Sequence, residues 1–260
     1  MKFNDIIEIL KDGLKLKQQE NWDNSGLQIG NLNSDIKKVM LTLDLDKEAV
    51  QFAIENKITL IITHHPFIFN NIKSIDFNTY DGQLIRDLII SNINVYSMHT
   101  SLDMAEYGVN YELASKLGIN SYDILQIIDD NDLSGYGGIS NIEPINIIEY
   151  SNFVKKSLNC NFIKLFCDND KKVIERVAFC GGSGSEFIEE AINKKADLYI
   201  TGDIKYHQAQ DALKNNLAII DAGHYYTEYH SLKIVQNILK EKTSLELFLI
   251  ERNTVSEIII

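Results

Sequence analysis

The stretch Val39–Thr63, VMLTLDLDKEAVQFAIENKITLIIT, decides how this chain folds. A near copy lies 138 positions further on, at Val177–Thr201, VAFCGGSGSEFIEEAINKKADLYIT. The two align without a gap. Val39, Glu48, Ala53, Ile54, Lys57, Leu60, Ile62 and Thr63 recur as Val177, Glu186, Ala191, Ile192, Lys195, Leu198, Ile200 and Thr201. Each reads strand, turn, amphipathic helix, strand, which is the pattern of a βαβ unit. The apolar runs are short and bounded by polar residues, as in parallel strands buried on both faces.

The likeness continues outward. His64-His65-Pro66 follows the first copy, and Gly202-Asp203-Ile204-Lys205-Tyr206-His207 follows the second. Each half then offers a helix and another apolar strand. Ile93–Met98 leads into His99, and Leu217–Ile220 leads into Asp221-Ala222-Gly223-His224. In both halves a histidine precedes an acid by four positions: His99 and Asp103, His224 and Glu228. The expected fold class is therefore α/β, with two related lobes from an internal duplication. The expected boundaries are 1–122 for the first lobe and 123–230 for the second. Residues 231–260 form a C-terminal segment returning to the first lobe, with strand-like runs in Leu245–Ile260.

Composition clears the ground. With 45% apolar residues among 260, the chain can bury a core, which excludes wholesale disorder. Its 25 basic against 37 acidic residues give a net charge of −12, which disfavours duplex nucleic acid as a partner. The segment Met1–Leu16 has its apolar residues at helical spacing between charges, so it is no secretory signal. No run approaches the roughly 18 apolar residues of a membrane span. Cys160, Cys167 and Cys180 are odd in number and lack a CxxC pair, which points to a reducing cytoplasm. They read as small buried residues. Only Cys180, just before a glycine-rich turn, has a position of interest.

The chemistry gathers where parallel α/β sheets bind ligands, beyond the carboxyl ends of strands. Five of the six histidines, His64, His65, His99, His207 and His224, follow apolar strand runs. A single histidine there could be a solvated loop residue. The set of His64, His65, Asp103, His224 and Glu228 reads as a ligand set for divalent first-row metals. It offers more donors than one closed ion needs and suits a two-metal hydrolytic site. His224 and Glu228, if helical, share a face.

At these residues the sequence resembles the NIF-three-like proteins, also called homologues of a second type of GTP cyclohydrolase I. The matching stretches are NWDNSGLQIG (21–30), THHPFIF (63–69), HTSLDMAEYGVN (99–110), GDIKYHQAQDA (202–212) and DAGHYYTE (221–228). The resemblance implies the NIF-three-like fold, two α/β lobes with a metal cleft between them, and in that cleft a dinuclear centre with ligands His64, His65, Asp103, His224 and Glu228, the last bridging. It also implies a toroidal homohexamer. Ser101 stands where the family commonly has Asn, and Ser121–Asn159 is too short for the domain some members insert between the lobes.

Further candidates surround this set. His99, Asp203 and His207 are the candidate catalytic residues: His99 for proton transfer, Asp203 and His207 to orient metal-bound histidines. Lys205 could bind a phosphate. Trp22, Asp23 and Asn24 could contact a substrate, or form a packed loop with an Asx turn. The turn Gly181–Gly184 could cradle a phosphate on free amides, or be a tight strand-to-helix turn; it matches neither common phosphate-loop fingerprint. Gly137-Gly138 reads as a turn. The functional expectation is a metal-dependent hydrolase with two divalent ions, Zn, Mn, Fe or Co. Its substrate would be a small molecule such as a nucleotide. The alternative class is a non-enzymatic metal-binding or adaptor protein.

Overall fold

The computed structural model describes residues 1–129 and 134–255. The chain divides into two compact units, Met1–Leu102 with the chain from Leu232 on, and Asp103–Ser231. The first holds α1 (Phe3–Leu14), β1 (Gly26–Ile29), β2 (Lys38–Thr42), α2 (Lys47–Glu55), β3 (Leu60–Thr63), α3 (Tyr80–Ile90) and β4 (Asn94–Ser97). The short α4 (His99–Asp103) ends on the first residue of the second unit. That unit continues with α5 (Val109–Lys116), β5 (Asp123–Asp129), β6 (Ser134–Asn146), α6 (Ile147–Ser157), β7 (Lys164–Phe166) and β8 (Val173–Phe179). Then come α7 (Ile188–Asn193), β9 (Leu198–Thr201), α8 (Tyr206–Lys214), β10 (Ala218–Asp221) and α9 (His224–Glu228). Last in the chain are α10 (Ser231–Lys242) and β11 (Glu246–Ile250).

Among the described residues the first sheet runs β1-β4-β3-β2-β11 and the second β5-β6-β8-β9-β10-β7. The duplication is repeated in their registers. β2 lies parallel to β3 with Val39 opposite Leu60, and β8 lies parallel to β9 with Val177 opposite Leu198. β4 and β10 extend the two sheets in parallel, and each carries an antiparallel edge strand, β1 or β7. Even the helix stops agree. Lys57 and Lys195 both turn left-handed, at φ 57° and 58°. The next amide returns to the helix in each case, Ile58 to Ala53 and Ala196 to Ala191, both at 2.9 Å.

The central strands form because their runs can be covered on both faces. Leu60–Thr63 and Leu198–Thr201 are buried throughout. α2 starts where Asp46 accepts the Ala49 amide at 2.9 Å, an ordinary N-cap. In α1 the apolar stripe Phe3, Ile6, Ile7, Leu10 and Leu14 is buried.

Three features depart from, or add to, the sequence reading. The unit boundary falls before α5, because Leu113 and Ala114 of that helix bury in the second unit's core. Gly137 and Gly138 lie inside β6, not in a turn: a Cβ at Gly138 would sit 2.3 Å from the Phe179 ring, so close packing demands glycine there. β11 adds to the first sheet parallel to β2, from Glu246 opposite Lys38 to Ile250 opposite Thr42. The end of the C-terminal strand-like run, residues 256–260, lies outside the described residues. Among the described residues no helix is long and apolar enough to cross a membrane.

Candidate metal centre

In the first unit the chain beyond β3 and β4 brings three imidazoles together. The ring centroids are 4.9 Å apart for His64 and His65, 5.6 Å for His64 and His99, and 5.9 Å for His65 and His99. Backbone bonds lock the corner. His65 N–H donates to the Leu43 carbonyl at 3.0 Å, and the His64 carbonyl accepts from Ser97 Oγ at 2.7 Å and from the His99 amide at 2.9 Å. His64 is fully buried. Two of the rings are oriented by carboxylates: His65 Nδ1 lies 2.7 Å from Asp44 Oδ1, and His99 Nδ1 lies 2.7 Å from Asp23 Oδ1. Burial alone would raise the Asp23 carboxyl, but hydrogen bonds from His99, Ser25 and Thr100 outweigh it and hold it well below the usual carboxylate range. Beside His99 stand two exposed rings, Trp22 at 6.1 Å and Phe69 at 6.1 Å.

The second unit holds a matching group. His224 opens α9 and Glu228 closes it, so the helix does bring them to one face; His224 Nε2 lies 3.1 Å from Glu228 Oε2. His224 Nδ1 lies 2.7 Å from Asp203 Oδ2. Glu228 is only 4% exposed. The Asp103 carbonyl accepts from Asn110 Nδ2 at 3.0 Å, and Asn110 Oδ1 accepts the Gly181 amide at 3.1 Å. Burial first, then the charges of Asp103 and Glu228, push the Cys180 thiol well above its ordinary value. Cys180 is thus a buried packing group. Burial likewise pushes Cys160 up to about 12.

The glycine-rich turn is a packing device. Its amides are already used: Gly182 donates to Thr227 Oγ1 and Gly184 to Thr201 Oγ1, both at 2.9 Å. With Gly181 bound to Asn110, no phosphate cradle of free amides is left at these three positions. Gly182 has φ +65°, and a Cβ on it would sit 2.1 Å from Glu228 Oε1. The turn exists to let the buried carboxylate lie against bare backbone.

The other predicted residues separate. Asp203 meets His224, and His99 sits with His64 and His65. His207 is exposed on α8 with its ring edge against Tyr206, and Lys205 is exposed at the start of that helix. Asp23 is no surface contact: it is buried and holds His99 and Thr100. Asn24 instead ties its loop to the Ile68 carbonyl, at 2.5 Å. Asp44, the partner of His65, carries no signal of its own in the sequence, although it too follows a buried strand.

In the first unit His64 and His65 offer imidazole donors, and in the second the buried Glu228 offers a carboxylate beside His224. Buried imidazole and carboxylate suit Zn, Mn, Fe or Co, and oriented rings are the usual support of such ligands, so the residues present fit the group.

Two α/β units with carboxylate-oriented histidines at their strand ends define a class of candidate metalloprotein. The chain belongs to the Duf34/NIF3 (NGG1p interacting factor 3) family, whose pattern it matches over residues 1–255. A Clostridium acetobutylicum relative named "GTP cyclohydrolase 1 type 2 homolog" is 34% identical over 244 residues, covering 92% of this chain and 90% of that protein. A Streptococcus pneumoniae relative of the same name is 41% identical over 206 residues, covering 78% of this chain and 77% of that one. A crystal structure of a Bacillus cereus protein related to NIF3 superposes with TM-score 0.90 at 23% identity, over 100% of this chain and 99% of that one. This places the two-lobed α/β fold among NIF3 structures.

Proposed function

We propose that this protein is a cytoplasmic metal-dependent hydrolase acting on a small molecule, a nucleotide or another phosphorylated or cyclic-amide compound. In this reading His64, His65, Asp103, His224 and Glu228 hold two divalent ions. One observation carries it: the same carboxylate–imidazole pair, at 2.7 Å, occurs at His65, His99 and His224. Each pair holds its ring by Nδ1, which is the support an imidazole needs to bind a metal or carry a proton at its other nitrogen. Divalent ions bound there supply Lewis-acid polarisation of the attacked group.

The chain's own residues do the rest. His99 moves a proton at Nε2, and ionised Asp23 at Nδ1 stabilises the imidazolium that forms. Trp22, 60% exposed, and Phe69, 48% exposed, offer ring faces against which a flat substrate packs. Asp203 keeps His224 in place. The relatives' name supports a nucleotide as the first substrate to try. A ring of six copies belongs to the same proposal, and sedimentation equilibrium reads it directly.

The test is a count of metal ions per chain, followed by turnover of GTP and a phosphoester panel by metal-loaded protein. Two ions and a measurable turnover are expected, with both lost in the His64→Ala, His65→Ala double variant. Equal turnover in the variant would refute the reading. Metal retention with no turnover would move the protein to the metal-binding or adaptor class.

A further inference from the structure

After β11 the chain continues as Glu251-Arg252-Asn253-Thr254-Val255, and this short segment is fastened to the loop between β2 and α2. Arg252 Nη2 lies 2.5 and 2.6 Å from the two oxygens of Asp46, and Arg252 Nη1 lies 3.2 Å from Glu48. Asp46 is also the N-cap of α2, so the guanidinium is held by a fixed group. Two residues on, Thr254 Oγ1 donates to Asp44 Oδ2 at 2.9 Å. The other oxygen, Asp44 Oδ1, is the one that holds His65 Nδ1 at 2.7 Å. A hydroxyl, a carboxylate and an imidazole therefore form one relay, anchored at its outer end by a charged pair.

The geometry gives each part a task. A carboxylate turns about the bond to its carboxyl carbon, and a partner on one oxygen fixes where the other points. Thr254 supplies that partner for Asp44. Asp44 in turn favours the His65 tautomer with its proton on Nδ1, which leaves the Nε2 lone pair for a ligand. Arg252 sets the position from which Thr254 reaches in. The chain contacts that hold His65 thus include a segment 189 residues away, far from any strand-end motif (His65 to Thr254).

We infer that Thr254 is a positioning residue for His65, and that the segment Arg252–Thr254 sets how tightly the first unit's histidines hold a divalent metal. The inference rests on the metal role proposed for His65. Loss of a direct partner of a ligating histidine typically costs 10–100-fold in metal affinity; Thr254 stands one bond further out, so about 3–10-fold is expected.

The experiment uses the full chain as wild type, Thr254→Val, Thr254→Ser and Asp44→Asn. Zinc affinity is read by competition with a chromogenic chelator. The valine variant keeps the shape and removes the hydroxyl, and should bind zinc about 3–10-fold more weakly, with Asp44→Asn weaker still. The serine variant restores the donor and should bind as wild type does. A second readout needs no metal: the nitrogen-15 signals of the His65 ring in metal-free protein at pH 8.5. Wild type and Thr254→Ser should show the Nδ1–H tautomer, and Thr254→Val a mixture. Unchanged zinc affinity and ring signals in Thr254→Val would overturn the inference, as would equal losses in the serine and valine variants. A wild type that binds no zinc or other divalent ion would refute the metal centre itself. That outcome is distinct from a zinc-binding wild type matched by Thr254→Val, which refutes the relay alone.

Discussion

Gly182→Ala separates folding from metal binding at one position. Gly182 has φ +65°, where an L residue pays about 1–2 kcal/mol in backbone strain. A Cβ there would stand 2.1 Å from Glu228 Oε1 and 3.0 Å from its Cδ. Carbon–oxygen contacts run at about 3.3–3.6 Å, so the carboxylate must retreat by about 1 Å or more. It is the tip of a flexible side chain, so that retreat adds little to the cost of folding. The expected loss of stability is therefore the backbone part, about 1–2 kcal/mol. Metal binding suffers more. Ligand distances are held to about 0.2 Å, so displacing Glu228 by five times that should weaken divalent metal binding about 10-fold or more. Urea unfolding of metal-free protein measures the first quantity, and chelator competition measures the second. An unchanged unfolding free energy would refute the backbone argument. An unchanged metal affinity would refute the claim that Glu228 lies against Gly182 as a ligand.

Other consequences can be checked in the same assays. Asp203→Asn keeps a residue that tolerates its φ of 60° but loosens His224; metal affinity should fall about 10-fold, with little change in unfolding. Asp23 titrates below its ordinary value when folded, so its contribution to stability is full above an unfolded value of about 4 and is lost as pH falls through the lowered folded value. Asp23→Asn should therefore be less stable than wild type at pH 7 and pH 5 by a constant amount, with the gap closing below about pH 4; a gap that widens on acidification would contradict the assignment. Lys57→Gly and Lys195→Gly relieve left-handed strain at duplicated positions, and each should stabilise by about 0.5–1 kcal/mol in thermal or urea unfolding. Opposite signs at the two sites would argue against equivalent helix stops.

What could be read from the chain follows from how parallel sheets bury their strands. Leu60–Thr63 and Leu198–Thr201 are covered on both faces, so they stand out as unbroken apolar runs, and the duplication exposes their order. The helix stops at Lys57 and Lys195 are hidden, because lysine carries no signal for a left-handed turn. Gly137-Gly138 misleads because glycine serves close approach as readily as turning. The amides of Gly181, Gly182 and Gly184 look free along the chain and are not, because Asn110, Thr227 and Thr201 reach them from other elements.

The site shows the same division between position along a strand and position across the sheet. Thr42 pairs with Thr63, and Thr63 with Ser97. Two residues beyond each of these three stand Asp44, His65 and His99, a row across the end of the sheet. His65 touches Asp44 on one side and approaches the His99 ring on the other. In the second sheet Thr201 pairs with Asp221, and Asp203 lies two residues beyond the first, His224 three beyond the second. Histidines announce themselves one strand at a time, and so they are found. A carboxylate such as Asp44 becomes significant only when the register sets it beside one. In LTLDLD it reads as the solvent-facing member of an alternation, and the neighbouring strand turns it into the group that orients a ligand. The register itself is repeated in the two copies, with Val39 opposite Leu60 and Val177 opposite Leu198. Once a βαβ pair is recognised, counting two residues past each aligned strand end therefore finds Asp44, His65, His99 and Asp203, while His224 stands one residue further on and Asp23 comes from the loop before β1.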